Sequence, residues 1–476
     1  MITKKYRLHL YLGLILLLAL LVRIVGLGSL PHNFHEDEVL VGYVGRYIIQ
    51  NGIDIYGKSW PLWFFNKFGD FYIIGPFYLS GISTLFFGVN EFAVRFPTAF
   101  LGALTILPIF GIALKLTNNT KAALYSSLVL AIMPWHVVLS RTSTEGVMGS
   151  FFFITAIYFL YEYIESRKIL HYILSSMFLL IGYFVYHPFR IYPPILLILS
   201  MIIFWQRVTV KQRIFLTGSL ALFSFLTLYI LSTNWGSGRL NQTSIFNDVS
   251  RVKPKSQELI YASKIKNTSV NRVIHNKYLG FGREYLRQYL SYLNPDFLFF
   301  DKGWSDKYVV PNVGLLFFGF GVGILFFIYK LRKFLLIGDT YLKLSYFSIL
   351  LLSLVPAAVT YIGSPNINRS TIFGVLLAIP IAIGLTSIKN KYLILFVSFL
   401  IGVEFALFGL IYISSFDAQN ALTRQDASKE LVQYVLANRT KRFFVPTDGS
   451  LSVYFPFMPR IFKSLSKEYT FGAKTL

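Results

Sequence analysis

The chain contains no cysteine, which excludes disulfides, thiolate metal sites and cysteine nucleophiles together. Charge is also scarce. Asp, Glu, Lys and Arg make up 14% of the 476 residues, where a soluble chain carries about 25%. Acids are the scarcest, 22 against 45 Lys and Arg, for a formal net charge of +23. In a soluble protein that balance would direct attention to nucleic acid. Here no zinc-finger spacing or RNA-binding motif accompanies it, and nucleic acid is not an expected partner. The chain also lacks a Walker A loop and a dinucleotide fingerprint. Gly319, Gly321 and Gly323 imitate a glycine-rich loop but sit inside an apolar run, where close helix packing explains them.

What the chain has is apolar sequence in long blocks. Hydrophobic residues make up 55% of it, in runs near the ~20 residues that a helix needs to cross a bilayer. The expected fold class is an all-α polytopic membrane protein with about eleven transmembrane helices. They fall at 8–29, 91–114, 122–140, 148–164, 169–186, 191–206, 214–233, 311–329, 343–361, 371–388 and 391–413. No A-x-A cleavage site follows the first block, so it reads as a retained helix.

A further apolar stretch, Ile73 to Phe87, is short for a span and carries Gly75-Pro76. Charge distribution decides its place. With eleven spans and a cytoplasmic N-terminus, the short inner loops hold Lys4/Lys5/Arg7, Lys115/Lys121, Arg167/Lys168, Arg207/Lys211/Arg213, Lys330/Arg332/Lys333 and Lys389/Lys391. Counting 73–87 as a span would move every later basic group outside, against the positive-inside bias. It therefore reads as an interfacial segment. Residues 1–413 form the expected membrane domain, with outer loops 30–90 and 234–310, and 414–476 read as a small extracytoplasmic α/β segment.

Chemistry is expected where polar residues gather at the outer ends of these helices. Glu36, Asp37 and Glu38 are consecutive, directly after the first span. One acid would suffice to cap the helix that follows, and three crowded together repel one another unless a cation or substrate offsets them. The next outer turns contribute Arg141 and Glu145, then His187 and Arg190. Lys67 and Asp70 lie in the first loop, and Arg369 follows Pro365.

Three segments in order carry a family resemblance. Arg23-Ile24-Val25-Gly26-Leu27, then Pro31, then Asp37-Glu38 resembles the first-loop signature of integral membrane glycosyltransferases of the GT-C fold. The pattern is similar to protein mannosyltransferases and lipid A aminoarabinose transferases. Gly88 to Pro97 with Gly102, and Pro134-Trp135-His136 through Ser140-Arg141-Thr142 to Glu145-Gly146, resemble the following segments. The resemblance covers residues 20 to about 200. It implies Asp37 as the catalytic acid and Glu38 as its partner. It implies Glu145 as a second-loop acid that shapes the site or holds a divalent metal ion, for which Asp70 is a second candidate ligand. The family's Lys-Pro-Pro is replaced here by Ile74-Gly75-Pro76, so Lys67 or Arg190 is expected to take over its phosphate contact. Arg141, His187 and Arg369 complete the substrate-binding candidates.

The implied reaction is intelligible from its chemistry. A polyprenyl-phosphate sugar already carries a good leaving group, so one base acting on the acceptor hydroxyl suffices. Cationic donors would stabilise the departing phosphate. One base opposite one leaving group means displacement with inversion. Donor lipid, membrane lipids and an extracytoplasmic acceptor are the expected partners. The alternative, a flippase of lipid-linked saccharides, would place ionisable residues near the bilayer midplane. In these spans Glu404 is the main such residue.

Overall fold

The computed structural model describes residues 2–421 except 33, 68, 248–251, 265–267, 301–306, 309 and 362, together with 431, 434, 437 and 438. The expected C-terminal α/β segment lies largely outside the described residues.

The described chain is almost wholly helical. Helix α1 (Ile2–Ile24) leads to α2 (Glu36–Asn51), a hairpin of β1 (Phe65–Lys67) and β2 (Asp70–Tyr72), and α3 (Gly75–Phe87). Then come α4 (Glu91–Leu104), α5 (Ile106–Thr117), α6 (Thr120–Ile132), α7 (Pro134–Ser140), α8 (Glu145–Ser166) and α9 (Ile169–Tyr183). A 3-10 turn at His187–Arg190 precedes α10 (Tyr192–Phe204) and α11 (Val210–Ser232). Five short helices occupy the long loop: α12 (Asn234–Thr243), α13 (Val252–Ala262), α14 (Thr268–Ile274), α15 (Lys277–Ser291) and α16 (Pro295–Phe299). The bundle closes with α17 (Phe318–Leu336), α18 (Thr340–Leu352), α19 (Val355–Ala358), α20 (Thr371–Ser387) and α21 (Lys391–Asn420).

Among the described residues, six helical segments are long and apolar enough to cross a membrane, and a seventh qualifies if α6 and α7 form one bent span. Helices α9, α10 and α20 are apolar but shorter. The main departure from the expected spans is at 311–329. The apolar run 313–317 is not helical, and α17 starts at Phe318 and runs on through Lys330–Lys333. The reason is pairing in three dimensions: Leu315 and Leu316 use their backbone to bond Trp135 and Leu298. Apolar content alone does not reveal that.

Buried arginines hold the turns of this bundle. Helices α6 and α7 meet at 54°. Pro134 has no N–H for the Leu130 carbonyl, and the Trp135 N–H goes to Leu315 instead of Ala131. Arg23, fully buried, donates to both released carbonyls, at 3.1 Å to Leu130 and 2.9 Å to Ala131. It also reaches His136 Nδ1 at 2.9 Å. Arg141 ties α7 back to the end of α1 and the first loop through the carbonyls of Val22 (2.9 Å) and Leu30 (3.1 Å).

Glu404 is a cap. Its carboxylate accepts the N–H groups of Phe318 (2.7 Å) and Gly319 (3.1 Å) at the start of α17, where the helix dipole favours negative charge. Gly323 permits the closest helix contact expected of that glycine run: a Cβ on the facing Gly384 would sit 1.7 Å from the Gly323 carbonyl oxygen.

Loops fall at two ends of the bundle. Helix α8 begins at Glu145, beside the first loop, and at ~1.5 Å per residue ends about 30 Å away. There Lys115 bonds Glu162 (2.9 Å) and Glu165 (2.5 Å). Helix α3 starts and finishes at the first-loop end, packed on α2. Gly45 and Gly81 bring these two helices together: a Cβ on Gly45 would lie 2.1 Å from the Phe77 carbonyl oxygen. Segment 73–87 thus holds a 13-residue helix, shorter than the ~20 residues a span needs.

Candidate active site

The site is built at the N-terminus of α2. His35 precedes the helix, and its Nδ1 accepts the Asp37 N–H at 3.2 Å, while the Glu38 carboxylate accepts the His35 N–H at 3.1 Å. This reciprocal capping pins the three acids in one turn and gives each a different direction.

Glu38 points inward. Its carboxylate, 5% exposed, receives Arg95 Nε at 2.9 Å and Nη2 at 3.2 Å, and also the Ser143 N–H at 3.1 Å. Arg95 is fully buried and also donates to the carbonyls of Leu27 and Pro31. Glu36 points away and pairs with Lys67 at 3.5 Å. Asp37 points into a cavity of about 610 Å³.

Asp37 is 36% exposed, and both of its oxygens are addressed. Tyr72, brought there by the hairpin, donates its hydroxyl to Oδ1 at 2.8 Å. Lys307 Nζ stands 3.1 Å from Oδ2. Burial pushes the Asp37 carboxyl up, but hydrogen bonding and charge from His35, Lys307 and Tyr72 outweigh it and hold the group well below the usual carboxylate range. His35 Nδ1 already accepts a backbone N–H, so the lowering rests chiefly on Lys307 and Tyr72. Asp37 is thus an ionised acceptor at neutral pH.

Facing walls supply cations. His187 Nε2 donates to the Phe71 carbonyl at 3.0 Å, which leaves Nδ1 to accept Arg190 Nη1 at 3.2 Å. Arg190 Nη2 donates to Trp63 at 3.0 Å, its plane lies over Trp235, and Nε has no protein partner. Burial pushes the Arg190 guanidinium down to about 10, so it stays charged at neutral pH. Arg369 Nη1 donates to Thr360 at 2.9 Å. Glu145 and Asp70 also line the cavity, with Ser143, Asn368, Tyr186 and the apolar Ile191, Ile230 and Val359.

Asp37, Glu38, Asp70, Glu145, His187, Arg190 and Arg369 therefore meet around one cavity, although four separate stretches of sequence supply them. Lys67 and Arg141 do not line it. Lys67 is held by Glu36, and Arg141 by two backbone carbonyls and the Tyr412 ring beneath it. Lys307, Tyr72 and His35 were not singled out in the sequence. Lys307 lies among many other cations in the long second loop, and nothing local marks its partner. Among the described residues no three His, Asp or Glu side chains converge as a metal-ligand set. Both Asp37 oxygens face protein donors, Tyr72 and Lys307.

Residues 74–231 match the family model of dolichyl-phosphate-mannose-protein mannosyltransferase. An uncharacterized protein of Aquifex aeolicus (strain VF5) is 29% identical over 92 residues, 19% of this chain and 18% of that one. The structure of ArnT from Cupriavidus metallidurans bound to undecaprenyl phosphate matches with a TM-score of 0.54 at 12% identity, over 93% of this chain and 84% of that one. The Archaeoglobus fulgidus oligosaccharyltransferase in its apo form matches with a TM-score of 0.51 at 14% identity, over 96% of this chain. The chain spans about a fifth of the curated relative and 60% of the oligosaccharyltransferase. It has the GT-C fold of integral membrane glycosyltransferases, and its residues 74–231 carry the sequence pattern of the mannosyltransferase family.

Proposed function

We propose that the protein is an inverting glycosyltransferase that moves a monosaccharide from a polyprenyl-phosphate donor to an extracytoplasmic acceptor. The observation that carries this reading is an ionised Asp37 in a cavity whose other walls hold the buried Arg190 and the part-buried Arg369, all at one end of a bilayer-length bundle.

The chemistry uses Asp37 as base. The acceptor hydroxyl gives its proton to the carboxylate, and its oxygen attacks the anomeric carbon from the face opposite the phosphate. The bond from that carbon to the phosphate oxygen breaks, and its electron pair leaves on the phosphate. Charge then accumulates where Arg190 and Arg369 can donate hydrogen bonds. The reacting carbon becomes oxocarbenium-like and its configuration inverts. Glu38 acts by holding the turn that aims Asp37.

The same reading sets the donor class and the orientation. The short basic loops lie at the end away from the cavity, so the positive-inside bias puts the N-terminus in the cytoplasm and the cavity outside. A nucleotide sugar is held in the cytoplasm, whereas a lipid-linked sugar reaches the outer interface with its tail in the bilayer. The apolar wall of Ile191, Ile230 and Val359 suits such a tail. The flippase alternative loses its main support, because Glu404 is engaged as a helix cap. The test is purified protein in liposomes, offered a synthetic polyprenyl-phosphate sugar or the matching nucleotide sugar. Transfer from the lipid-linked sugar alone is expected. Efficient transfer from the nucleotide sugar without a lipid carrier would overturn the reading.

A further inference from the structure

Among the described cations that face the Asp37 turn, most are committed to partners that fix them. Arg95 is engaged by Glu38, Lys67 by Glu36, and Arg190 by His187 and the Trp63 carbonyl. Lys307 differs in kind. It is 34% exposed, sits on a flexible four-carbon stem, and arrives from 270 residues away to meet Asp37 Oδ2 at 3.1 Å and His35 Nδ1 at 3.4 Å. It lines the same cavity as Arg190 and Arg369. The remaining charged or titratable groups around that cavity are Glu38, Asp70, Tyr72, Glu145, Tyr186, His187 and Tyr308.

This arrangement conflicts with the role of a base. An ammonium 3.1 Å from the carboxylate stabilises its charged form and opposes proton uptake. It also occupies the oxygen that Tyr72 leaves open. Such a pair at a partly exposed position is weak, so a second anion can exchange for the first. A lipid phosphate entering the cavity is such an anion, and Lys, with its rotatable point charge, can change partners without rebuilding its surroundings.

We propose that Lys307 locks Asp37 in the resting protein, and that the phosphate of the incoming lipid draws Lys307 away and releases the carboxylate to accept a proton. The inference rests on the glycosyl-transfer reading and adds an order to it: the lipid phosphate binds before the base is competent.

The lock is testable by binding alone, with polyprenyl phosphate lacking a sugar as the probe. Affinity is measured for the wild type, Asp37→Asn, Lys307→Met and the double variant in liposomes. If Lys307 leaves Asp37 to meet the phosphate, Asp37→Asn frees it in advance and tightens binding about fivefold. The same change in the Lys307→Met background should have little effect, so the cycle is non-additive. Equal tightening in both backgrounds would mean simple repulsion between Asp37 and phosphate, and would overturn the lock. Inorganic phosphate forms the second arm. Non-additivity with the lipid but not with inorganic phosphate assigns the release to a seated lipid head group. The same non-additivity with inorganic phosphate would overturn the requirement for a lipid. Thermal midpoints of all four proteins show whether each is folded. A variant that fails to fold is replaced by Lys307→Gln, with the same expected pattern. If the coupling appears but no sugar is ever transferred, the proposed function fails and the lock stands. If sugar is transferred without the coupling, the lock fails and the proposed function stands.

Discussion

Removing the Glu38 carboxylate should unfold the site before it disables any chemistry. The carboxylate receives two hydrogen bonds from Arg95 and the backbone N–H groups of His35 and Ser143, at 2.9 to 3.2 Å. Glu38→Ala leaves a fully buried guanidinium without its counter-ion and two N–H groups without acceptors. Breaking a buried pair from one side costs about 3–5 kcal/mol. The two stranded N–H groups belong to the same network, so their penalties overlap with that figure rather than add to it. Against a stability of ~5–15 kcal/mol this is a loss of roughly 10²–10⁴ in the folding equilibrium. Glu38→Gln keeps the shape and one acceptor oxygen, and should cost about 1–2 kcal/mol. Thermal inactivation in detergent should therefore rank wild type above Gln above Ala, with turnover per folded molecule falling far less. An Ala variant whose midpoint moves by less than about 2 °C while turnover collapses would contradict this ranking and give Glu38 a direct chemical role.

Three further outcomes follow from the same geometry. Arg190→Lys keeps the charge but loses the planar fork held by His187 and Trp63, so the donor KM should rise about tenfold, the loss of one charge-assisted bond, a larger effect than the change in stability; equal loss for unrelated lipids would mean the side chain only meets head groups. Tyr72→Phe removes the donor to Asp37 Oδ1, which lets the carboxyl pKa rise; because Asp is charged above its pKa, the acidic limb of turnover should move to higher pH, and an unmoved limb would contradict the assignment. The cysteine-free chain allows single replacements, and Cys in place of the exposed Ser59 should react with an impermeant thiol reagent from outside while Asn118→Cys is protected; the reverse pattern would invert the orientation.

The bundle and part of the site were legible in the sequence because each has a one-dimensional signature. Apolar blocks follow bilayer thickness, and the basic loops between them separate the two ends. Asp37 stood out because three consecutive acids are conspicuous in a chain this poor in acid. What those residues touch was not legible. Glu36, Asp37 and Glu38 look alike in sequence, yet successive positions on a helix point in different directions, and the three carboxylates meet Lys67, Lys307 and Arg95 respectively. Arg141 and Arg190 both stand in outer turns and both read as substrate-binding candidates. Only the fold shows that Arg141 serves carbonyls of α1 and the first loop while Arg190 lines the cavity. Lys307 escaped because its contact spans 270 residues and no periodicity records it.

The mechanism stands or falls on Asp37 taking the acceptor's proton, and turnover of Asp37→Asn with a polyprenyl-phosphate sugar in liposomes measures that role. Asparagine keeps the size and still accepts the Tyr72 hydrogen bond but cannot take up a proton. Turnover should fall by about 10²–10⁴ with an unchanged thermal midpoint. A folded variant that turns over at close to the wild-type rate would contradict proton uptake at Asp37.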